Sequence, residues 1–203
     1  MAAITTIIFD IGNVIVRWSP EAICHAAFGA EAATPDRIAE IFGDPLWLAL
    51  NRGERSAAET MTLYGQKLGW DDQLTASFFD HILASLTPVP GTLDLIDRLR
   101  GNGYRLLSLT DNVHEIMAHL RETHDFLDRF EAVVNSADVG LLKPDPAIFR
   151  HLLDTHDVVA SEALFLDDLS HNVSGARTVG LHAIRFESCE QAEAEMRELG
   201  IRF

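Results

Sequence analysis

The chain has 203 residues, of which 47% are hydrophobic, and a formal net charge of −15. This length suits one globular domain with room for an insertion. The strong negative charge repels nucleic-acid phosphates, so we do not expect DNA or RNA binding. No apolar stretch reaches the length of about 18 residues that a membrane span needs, and the N-terminal MAAITTIIFD lacks the features of a secretory signal, so we expect a cytoplasmic protein.

The predicted elements alternate between short apolar strands and amphipathic helices. We predict five strands: ITTIIF at Ile4, YRLLSL at Tyr104, EAVVNS at Glu131, ALFLD at Ala163 and LHAIRF at Leu181. Helical periodicity marks GTLDLIDRLRGNG, HEIMAHLRETH, PAIFRHLLDTH, HNVSGARTVG and the C-terminal ESCEQAEAEMRELG. This βαβα alternation predicts an α/β fold, with a Rossmann-like parallel sheet core covered by helices.

The exception to this alternation is the long interval between the first strand and the helix GTLDLIDRLRGNG. It is far longer than the usual connection in an α/β unit. It contains four segments with helical patterns: PEAICHAAFG, PDRIAEIFG, AAETMTLYGQKLG and DQLTASFFDHILASL. We therefore predict an inserted all-helical cap domain over residues 17–89 and a core domain made of residues 1–16 and 90–203.

Polar side chains follow four of the predicted strands. In open parallel sheets, ligands bind outside the carboxyl ends of the strands, because the loops converge there. The residues at these ends are Asp10 after the first strand, Thr110, Asp111 and Asn112 after the second, Lys143 after the third, and Asp167 and Asp168 after the fourth. We therefore expect these side chains to form one site.

The predicted site has a chemical logic. Asp10, Asp167 and Asp168 would repel one another unless a cation lies among them, and ligands that are all oxygen favour Mg²⁺. Lys143 adds a positive charge and Thr110 a hydrogen-bond donor, and both suit the binding of a phosphate. Asp10 is the candidate nucleophile that would form an aspartyl-phosphate. The expected partner is a small phosphorylated molecule, with Asp111 and Asn112 as further substrate-binding candidates.

Four motifs carry a resemblance to a known family. FDIGNV, LLSLTDN, GLLKPDPAIF and FLDDLSHNVSGA resemble, in order, those of the haloacid dehalogenase-like hydrolase superfamily. The FD-x-GNV variant is most similar to the branch of sugar-phosphate phosphatases such as glucose-1-phosphatase. The resemblance implies a helical cap, Asp10 as nucleophile and metal ligand, phosphate binding by Thr110 and Lys143, and Mg²⁺ binding by Asp168 with Asp167 beside it.

Two positions depart from the family pattern. Most phosphatases of the superfamily carry a second aspartate at position 12, which acts as general acid and whose carbonyl binds the metal, whereas Gly12 keeps only the carbonyl. This predicts a slower enzyme, a good leaving group such as that of a sugar 1-phosphate, or a substitute proton donor. Asp111 stands where the family usually has asparagine, and it either contributes only its backbone N–H or serves as the missing acid.

Further candidates lie in the cap and beside the acidic pair. Asn172 follows Asp168 by four residues and is a candidate to support the metal by hydrogen bonding to one of its ligands. Candidates for contact with the rest of the substrate are Trp18, Trp47, Asn51, Arg52 and Glu54, of which Trp47 fits a core position equally well and Glu54 an exposed turn.

Two other functions stay open. A 2-haloacid dehalogenase would use the same nucleophile without a metal, although the Asp167-Asp168 pair and the glycine at position 12 argue against it. A non-catalytic relative would bind a phosphate or a protein partner, although it would not need the Asp10 nucleophile. Cys24 and Cys189 predict neither a disulfide nor a zinc site. The sequence leaves open whether the protein is a monomer or a homodimer.

Overall fold

The computed structural model describes residues 3–203, so the first two residues of the predicted core segment 1–16 lie outside it. Its centre is a five-stranded parallel sheet with the order β3-β2-β1-β4-β5. The strands are β1 (Thr6–Phe9), β2 (Arg105–Thr110), β3 (Ala132–Asn135), β4 (Ala163–Asp167) and β5 (His182–Arg185). All five predicted strands are present, and the predicted α/β fold is confirmed.

The first strand is the middle of the sheet and is buried on both faces. Ile7 and Phe9 pack into one hydrophobic cluster, whereas Ile8 packs into the cluster on the opposite face. This alternation follows from the two-residue period of a strand. A strand covered by helices on both faces reads as a continuous apolar run, which is why the segment preceding Asp10 is hydrophobic throughout.

The described residues form eleven α-helices. They are α1 (Pro20–Phe28), α2 (Pro35–Phe42), α3 (Pro45–Asn51), α4 (Ala57–Leu68), α5 (Asp72–Ser85), α6 (Thr92–Gly101), α7 (His114–Thr123), α8 (Ser136–Val139), α9 (Pro146–Thr155), α10 (Ser170–Thr178) and α11 (Cys189–Glu198). None of the helices in residues 3–203 combines the length and the apolar composition that a bilayer crossing requires.

Helices α1 to α5 form the predicted helical insertion between β1 and α6. The chain enters and leaves it along neighbouring paths, because the Arg17 N–H donates to the Thr87 carbonyl (2.7 Å) and the Val89 N–H donates to the Ile15 carbonyl (2.8 Å). These two hydrogen bonds lie at both ends of the insertion. We therefore retain, as a proposal, the division into a cap domain of residues 17–89 and a core domain of residues 1–16 and 90–203.

The sequence did not predict helix α3. It has seven residues, which is too short for a helical period to emerge from the hydrophobic pattern. Its start does carry a recognisable signal, since the Asp44 side chain accepts a hydrogen bond from the Leu46 N–H and Pro45 occupies the first turn. This helix matters because it carries Trp47 and Asn51 toward the core.

The turn after α3 contacts the core directly. Ser136 Oγ donates a hydrogen bond to the carbonyl of Asn51 (2.7 Å). Gly53 has a φ of +69°, and a Cβ at this position would lie 2.2 Å from the Ala137 carbonyl oxygen. Only glycine permits both the left-handed backbone and this close approach. The contact holds the cap over the carboxyl ends of the strands.

Candidate active site

The predicted catalytic carboxylates meet at the carboxyl edge of the sheet. Asp10 directly follows β1, and Asp167 is the last residue of the neighbouring strand β4, with Asp168 next to it. One carboxylate oxygen from each of the three residues lies within 4.8 Å of the other two. The register of the two strands therefore brings together the acidic cluster that the sequence predicted.

Lys143 joins this cluster from the loop between α8 and α9. Its side chain is buried, and Nζ lies 2.9 Å from Asp10 Oδ1 and 2.7 Å from Asp167 Oδ2. The ammonium group also donates to the Leu109 carbonyl (3.3 Å). Burial by itself lowers the pKa of a lysine, but the surrounding carboxylates outweigh it and raise the pKa of Lys143. The carboxylates therefore favour the protonated form of Lys143.

The three carboxylates can carry more negative charge than the single ammonium group of Lys143 neutralises. Burial raises the pKa of Asp10 well above its ordinary value, and the neighbouring Asp167 and Asp168 add to the rise, although Lys143 opposes it. Burial also raises the pKa of Asp168, against a hydrogen bond from Asn13. Three ionised carboxylates and one ammonium would leave two negative charges, so the cluster is suited to a divalent cation.

Asp167 differs from the other two carboxylates in its hydrogen bonds. Its Oδ1 accepts from the Leu169 N–H (2.8 Å), and Asn172 Nδ2 lies within hydrogen-bonding distance of both oxygens (3.1 and 3.0 Å). Its Oδ2 also accepts from Lys143 (2.7 Å). Asp167 is therefore occupied in orienting Lys143, and Asn172, which we expected to support the metal, holds Asp167 in place.

The turn after Asp10 contains a residue that sequence reasoning missed. Asn13 has a φ of 54°, and its Oδ1 accepts from the Trp18 N–H (2.8 Å) while its Nδ2 donates to Asp168 Oδ2 (3.0 Å). It connects the segment after β1 to the segment after β4. The Gly-Asn pair was the available signal, because asparagine tolerates a left-handed backbone better than most residues.

Two of the three candidates at the carboxyl end of β2 face the cavity. Asp111 and Asn112 line it, whereas Thr110 is 1% exposed and does not belong to the described lining. Asp111 Oδ1 accepts the Lys143 backbone N–H (3.0 Å), and burial raises the pKa of this carboxyl group. The proposed contact of Thr110 with phosphate stays a prediction.

The site opens into a cavity of about 550 Å³ between the core and the cap. Three of the cap residues predicted to face the substrate, Trp18, Trp47 and Asn51, line this cavity, whereas Arg52 and Glu54 are outside its described lining. A larger groove of about 830 Å³ lies between α4 and α5, away from the acidic cluster. Of these two cavities, only the smaller one is lined by the catalytic candidates Asp10 and Lys143, so it is the candidate active site.

Comparison with known proteins places the chain in a family. A model of haloacid dehalogenase-like hydrolases matches residues 4–180. The sesquiterpene phosphatase astK of Aspergillus oryzae is 27% identical over 192 residues, which cover 95% of this chain and 94% of that protein. Two further curated relatives are longer proteins, of which the chain spans 19% and 15%.

Solved structures agree with this assignment. A predicted HAD-like family hydrolase of Porphyromonas gingivalis is 26% identical with a TM-score of 0.79, and the match covers 100% of both chains. A HAD family enzyme of Bacteroides thetaiotaomicron, solved with magnesium and inorganic phosphate, shares the fold at 19% identity and a TM-score of 0.78, over 92% of this chain and 96% of that one. Because the family model covers most of the chain, this protein belongs to the haloacid dehalogenase-like hydrolases.

Proposed function

We propose that this hydrolase is a Mg²⁺-dependent phosphomonoesterase that acts through an aspartyl-phosphate on Asp10. The observation that carries the proposal is the buried ammonium group of Lys143, which lies 2.9 Å from the Asp10 carboxylate inside a cluster of three acids. A nucleophilic carboxylate beside a fixed positive charge and a cation site is suited to an anionic phosphoryl group.

The donor set of the cluster fits Mg²⁺. All candidate ligands are oxygen atoms, and the excess negative charge matches a divalent ion. We assign the metal to the carboxylates of Asp10 and Asp168 and the carbonyl of Gly12. We do not include Asp167 in this set, because its oxygens already accept hydrogen bonds from three residues, and its role as a metal ligand stays a prediction. When bound, the metal would neutralise the phosphate and polarise its oxygens.

The hydrogen bonds of Asp10 define its role. Oδ1 accepts from the Ile11 N–H (2.7 Å) and contacts Lys143, whereas Oδ2 has no protein donor among the described residues. We assign the attack on phosphorus to Oδ2. The new bond from Oδ2 to phosphorus forms as the ester P–O bond breaks, and the departing oxygen takes a proton from water, because Gly12 has no acidic side chain to supply one. Water then attacks the aspartyl-phosphate, releases inorganic phosphate and regenerates the carboxylate.

The comparisons support this chemistry without fixing the substrate. A relative that matches 95% of this chain and 94% of its own length is named a sesquiterpene phosphatase, and the Bacteroides structure contains both magnesium and inorganic phosphate. The more specific predictions of a sugar phosphate, a glucose-1-phosphatase-like branch, a cytoplasmic location and a monomer or homodimer all stay predictions. The expected partner is a small phosphorylated molecule.

The test is phosphate release from p-nitrophenyl phosphate, whose good leaving group does not require a general acid. Wild type and Asp10→Asn are compared with Mg²⁺ and with excess chelator, and Asp154→Asn, which alters an exposed acid on α9, is the matched control. We expect turnover in wild type and Asp154→Asn with Mg²⁺ only, and none in Asp10→Asn. Turnover that survives chelation or the loss of Asp10 would contradict the proposal.

The same experiment separates the alternatives. A haloacid dehalogenase would release halide from 2-haloacids with chelator present and would leave the aryl phosphate intact. A non-catalytic relative would give no turnover on either substrate, yet Asp10→Asn would still bind phosphate. Thermal unfolding provides a readout independent of activity: Mg²⁺ should raise the melting temperature of wild type but not of Asp168→Asn, because a ligand that binds only the folded state stabilises it.

A further inference from the structure

We propose that the phosphate ester hydrolysed at this site carries an apolar hydrocarbon group, which binds between the cap and the core. This inference rests on the proposed phosphomonoesterase activity and adds the substrate class. It is carried by the composition of the cavity wall on the side facing the catalytic residues.

The cap side of the cavity is built from aromatic rings. The rings of Trp18 and Trp47 are stacked, with centroids 5.8 Å apart and an interplanar angle of 22°. Phe42 packs edge-on against Trp47 at 4.9 Å and against Trp18 at 5.7 Å. All three residues line the cavity. Their mutual packing fixes them in position, so they form a rigid apolar surface that requires little ordering when a ligand binds.

Two exposed leucines extend this surface at the cavity. Among residues 3–203, the large hydrophobic side chains that are exposed are Leu48 (40%), Leu169 (45%) and Val159 (56%). The two leucines both line the cavity, one from cap helix α3 and one from the core segment after β4, whereas Val159 is outside the described lining. A hydrocarbon group in the cavity would cover apolar surface from both the cap and the core, which is favourable because that surface leaves water.

The same wall offers few partners for a polar substrate. Apart from the indole N–H groups, Asn51 is the polar side chain among the described cavity-lining residues of the cap. Its Nδ2 already donates to the Trp47 carbonyl (2.8 Å). The hydroxyl groups of a sugar would lose their water partners on entry, and an unsatisfied polar group is costly to bury. The cap side of the cavity therefore favours a hydrocarbon group over a sugar, whereas the other polar lining residues lie on the core side, around the acidic cluster.

The first test measures affinity against chain length. Alkyl phosphonates from propyl to octyl keep one charged head group and have a C–P bond that this hydrolysis does not cleave, so their inhibition of p-nitrophenyl phosphate hydrolysis reports binding alone. Full burial of a methylene corresponds to about 0.8 kcal/mol, or about fourfold in the inhibition constant, so we expect at least about twofold tightening per methylene. A flat series, or tighter inhibition by glucose 1-phosphate or glucose 6-phosphate than by octyl phosphonate, would overturn the inference.

The second test assigns the effect to this cavity. Leu48→Gln removes an exposed leucine from the wall, and Val159→Gln makes the same kind of change on an exposed residue outside the described lining. We expect the dependence on chain length to weaken in Leu48→Gln and to match wild type in Val159→Gln. An unchanged dependence in both variants would contradict binding of the chain against Leu48.

A failed inference can be told apart from a failed function. If wild type hydrolyses p-nitrophenyl phosphate but the phosphonate series is flat, the activity stands and the apolar substrate class is wrong. If wild type hydrolyses nothing, the proposed function is wrong. Calorimetric titration with the same phosphonates then still tests the apolar cavity, with chain-length-dependent affinity supporting it and uniform affinity overturning it.

Discussion

The ammonium nitrogen of Lys143 lies 2.9 Å from Oδ1 of Asp10, and both side chains are buried. The same nitrogen lies 2.7 Å from Asp167 Oδ2, so one lysine joins the acid after β1 to the acid that ends β4. Charges buried in this way cost desolvation energy, which close pairing offsets only in part. The protein therefore retains a costly arrangement at the place where we assign phosphoryl transfer.

Replacing Lys143 with methionine should damage both activity and stability. We expect kcat/KM on p-nitrophenyl phosphate to fall by about 10²–10³-fold, the range typical of losing one group that stabilises transition-state charge. We also expect the free energy of unfolding to fall by about 3 kcal/mol, because Asp10 and Asp167 lose their buried partner. Steady-state kinetics and urea unfolding measure the two effects.

The control for this prediction is Lys67→Met. Lys67 also pairs with an aspartate, Asp44, but its side chain is half-exposed and lies in the cap. Asp44 is buried and keeps its hydrogen bond from the Leu46 N–H when Lys67 is replaced, and the pair lies outside the acidic cluster, so we expect turnover to stay within about twofold of wild type. Equal effects of the two substitutions on kcat/KM would show that Lys143 acts only as a structural charge.

Substituting Gly12 with aspartate should supply the missing acid. A Cβ at position 12 would lie 3.7 Å from the Trp18 Cβ, which is an ordinary contact, so the backbone there accepts a side chain. General acid catalysis is typically worth about 10²–10⁴-fold, and we expect kcat on an alkyl phosphate to rise by at least about tenfold. The rise on p-nitrophenyl phosphate should be smaller, because its leaving group needs little protonation.

Gly12→Asn is the matched control, since it has the same shape and no acidic proton. We expect it to leave the ratio of alkyl to aryl turnover at the wild-type value. If Gly12→Asp also leaves this ratio unchanged, then either another group already donates the proton or proton donation does not limit the rate, and the interpretation of Gly12 as a lost acid is wrong.

The strand ends were predictable because their chemistry is local. A buried parallel strand is apolar throughout, so the first charged residue after it, such as Asp10, marks its carboxyl end. The order of motifs along the chain then indicates which ends meet. This reasoning identified Lys143 as well, because a loop that follows a strand in this topology returns to the same edge of the sheet.

The cap was much less predictable, because its geometry depends on tertiary packing. The sequence makes Arg52 and Glu54 candidates for substrate contact, but Gly53 between them packs closely against the core, and neither residue belongs to the described cavity lining. Leu48 lies in a helix too short to show a period. Asn13 was also missed, because its role depends on the distance to Asp168, which adjoins a different strand.

Substituting Asp111 with asparagine tests whether this residue is the missing proton donor. Asparagine can still accept the Lys143 backbone N–H through its side-chain oxygen, so the observed hydrogen bond can persist. One oxygen of Asp111 already binds the Lys143 loop, so we do not expect this residue to donate a proton. Turnover should therefore be unchanged, or a few-fold higher because a negative charge near the phosphate is removed. A loss of more than about tenfold in kcat on an alkyl phosphate, beyond the effect on an aryl phosphate, would identify Asp111 as the acid.

The docking of the cap on the core can be tested with two glycines that share one backbone conformation. Gly53 and Gly69 both have a φ of +69°, but a Cβ at Gly53 would lie 2.2 Å from the Ala137 carbonyl oxygen, whereas one at Gly69 would meet nothing within 4 Å. Alanine in a left-handed conformation costs roughly 1–2 kcal/mol at either position.

We therefore expect Gly69→Ala to lose only this amount of unfolding free energy and Gly53→Ala to lose clearly more, because the cap must also move away from Ala137. Hydrogen exchange should report the same difference, with faster exchange at residues 51–57 in Gly53→Ala and wild-type exchange there in Gly69→Ala. A displaced cap would also widen the cavity, so KM should rise in Gly53→Ala and not in Gly69→Ala. Equal losses of stability with equal exchange at residues 51–57 would show that this turn does not hold the cap on the core.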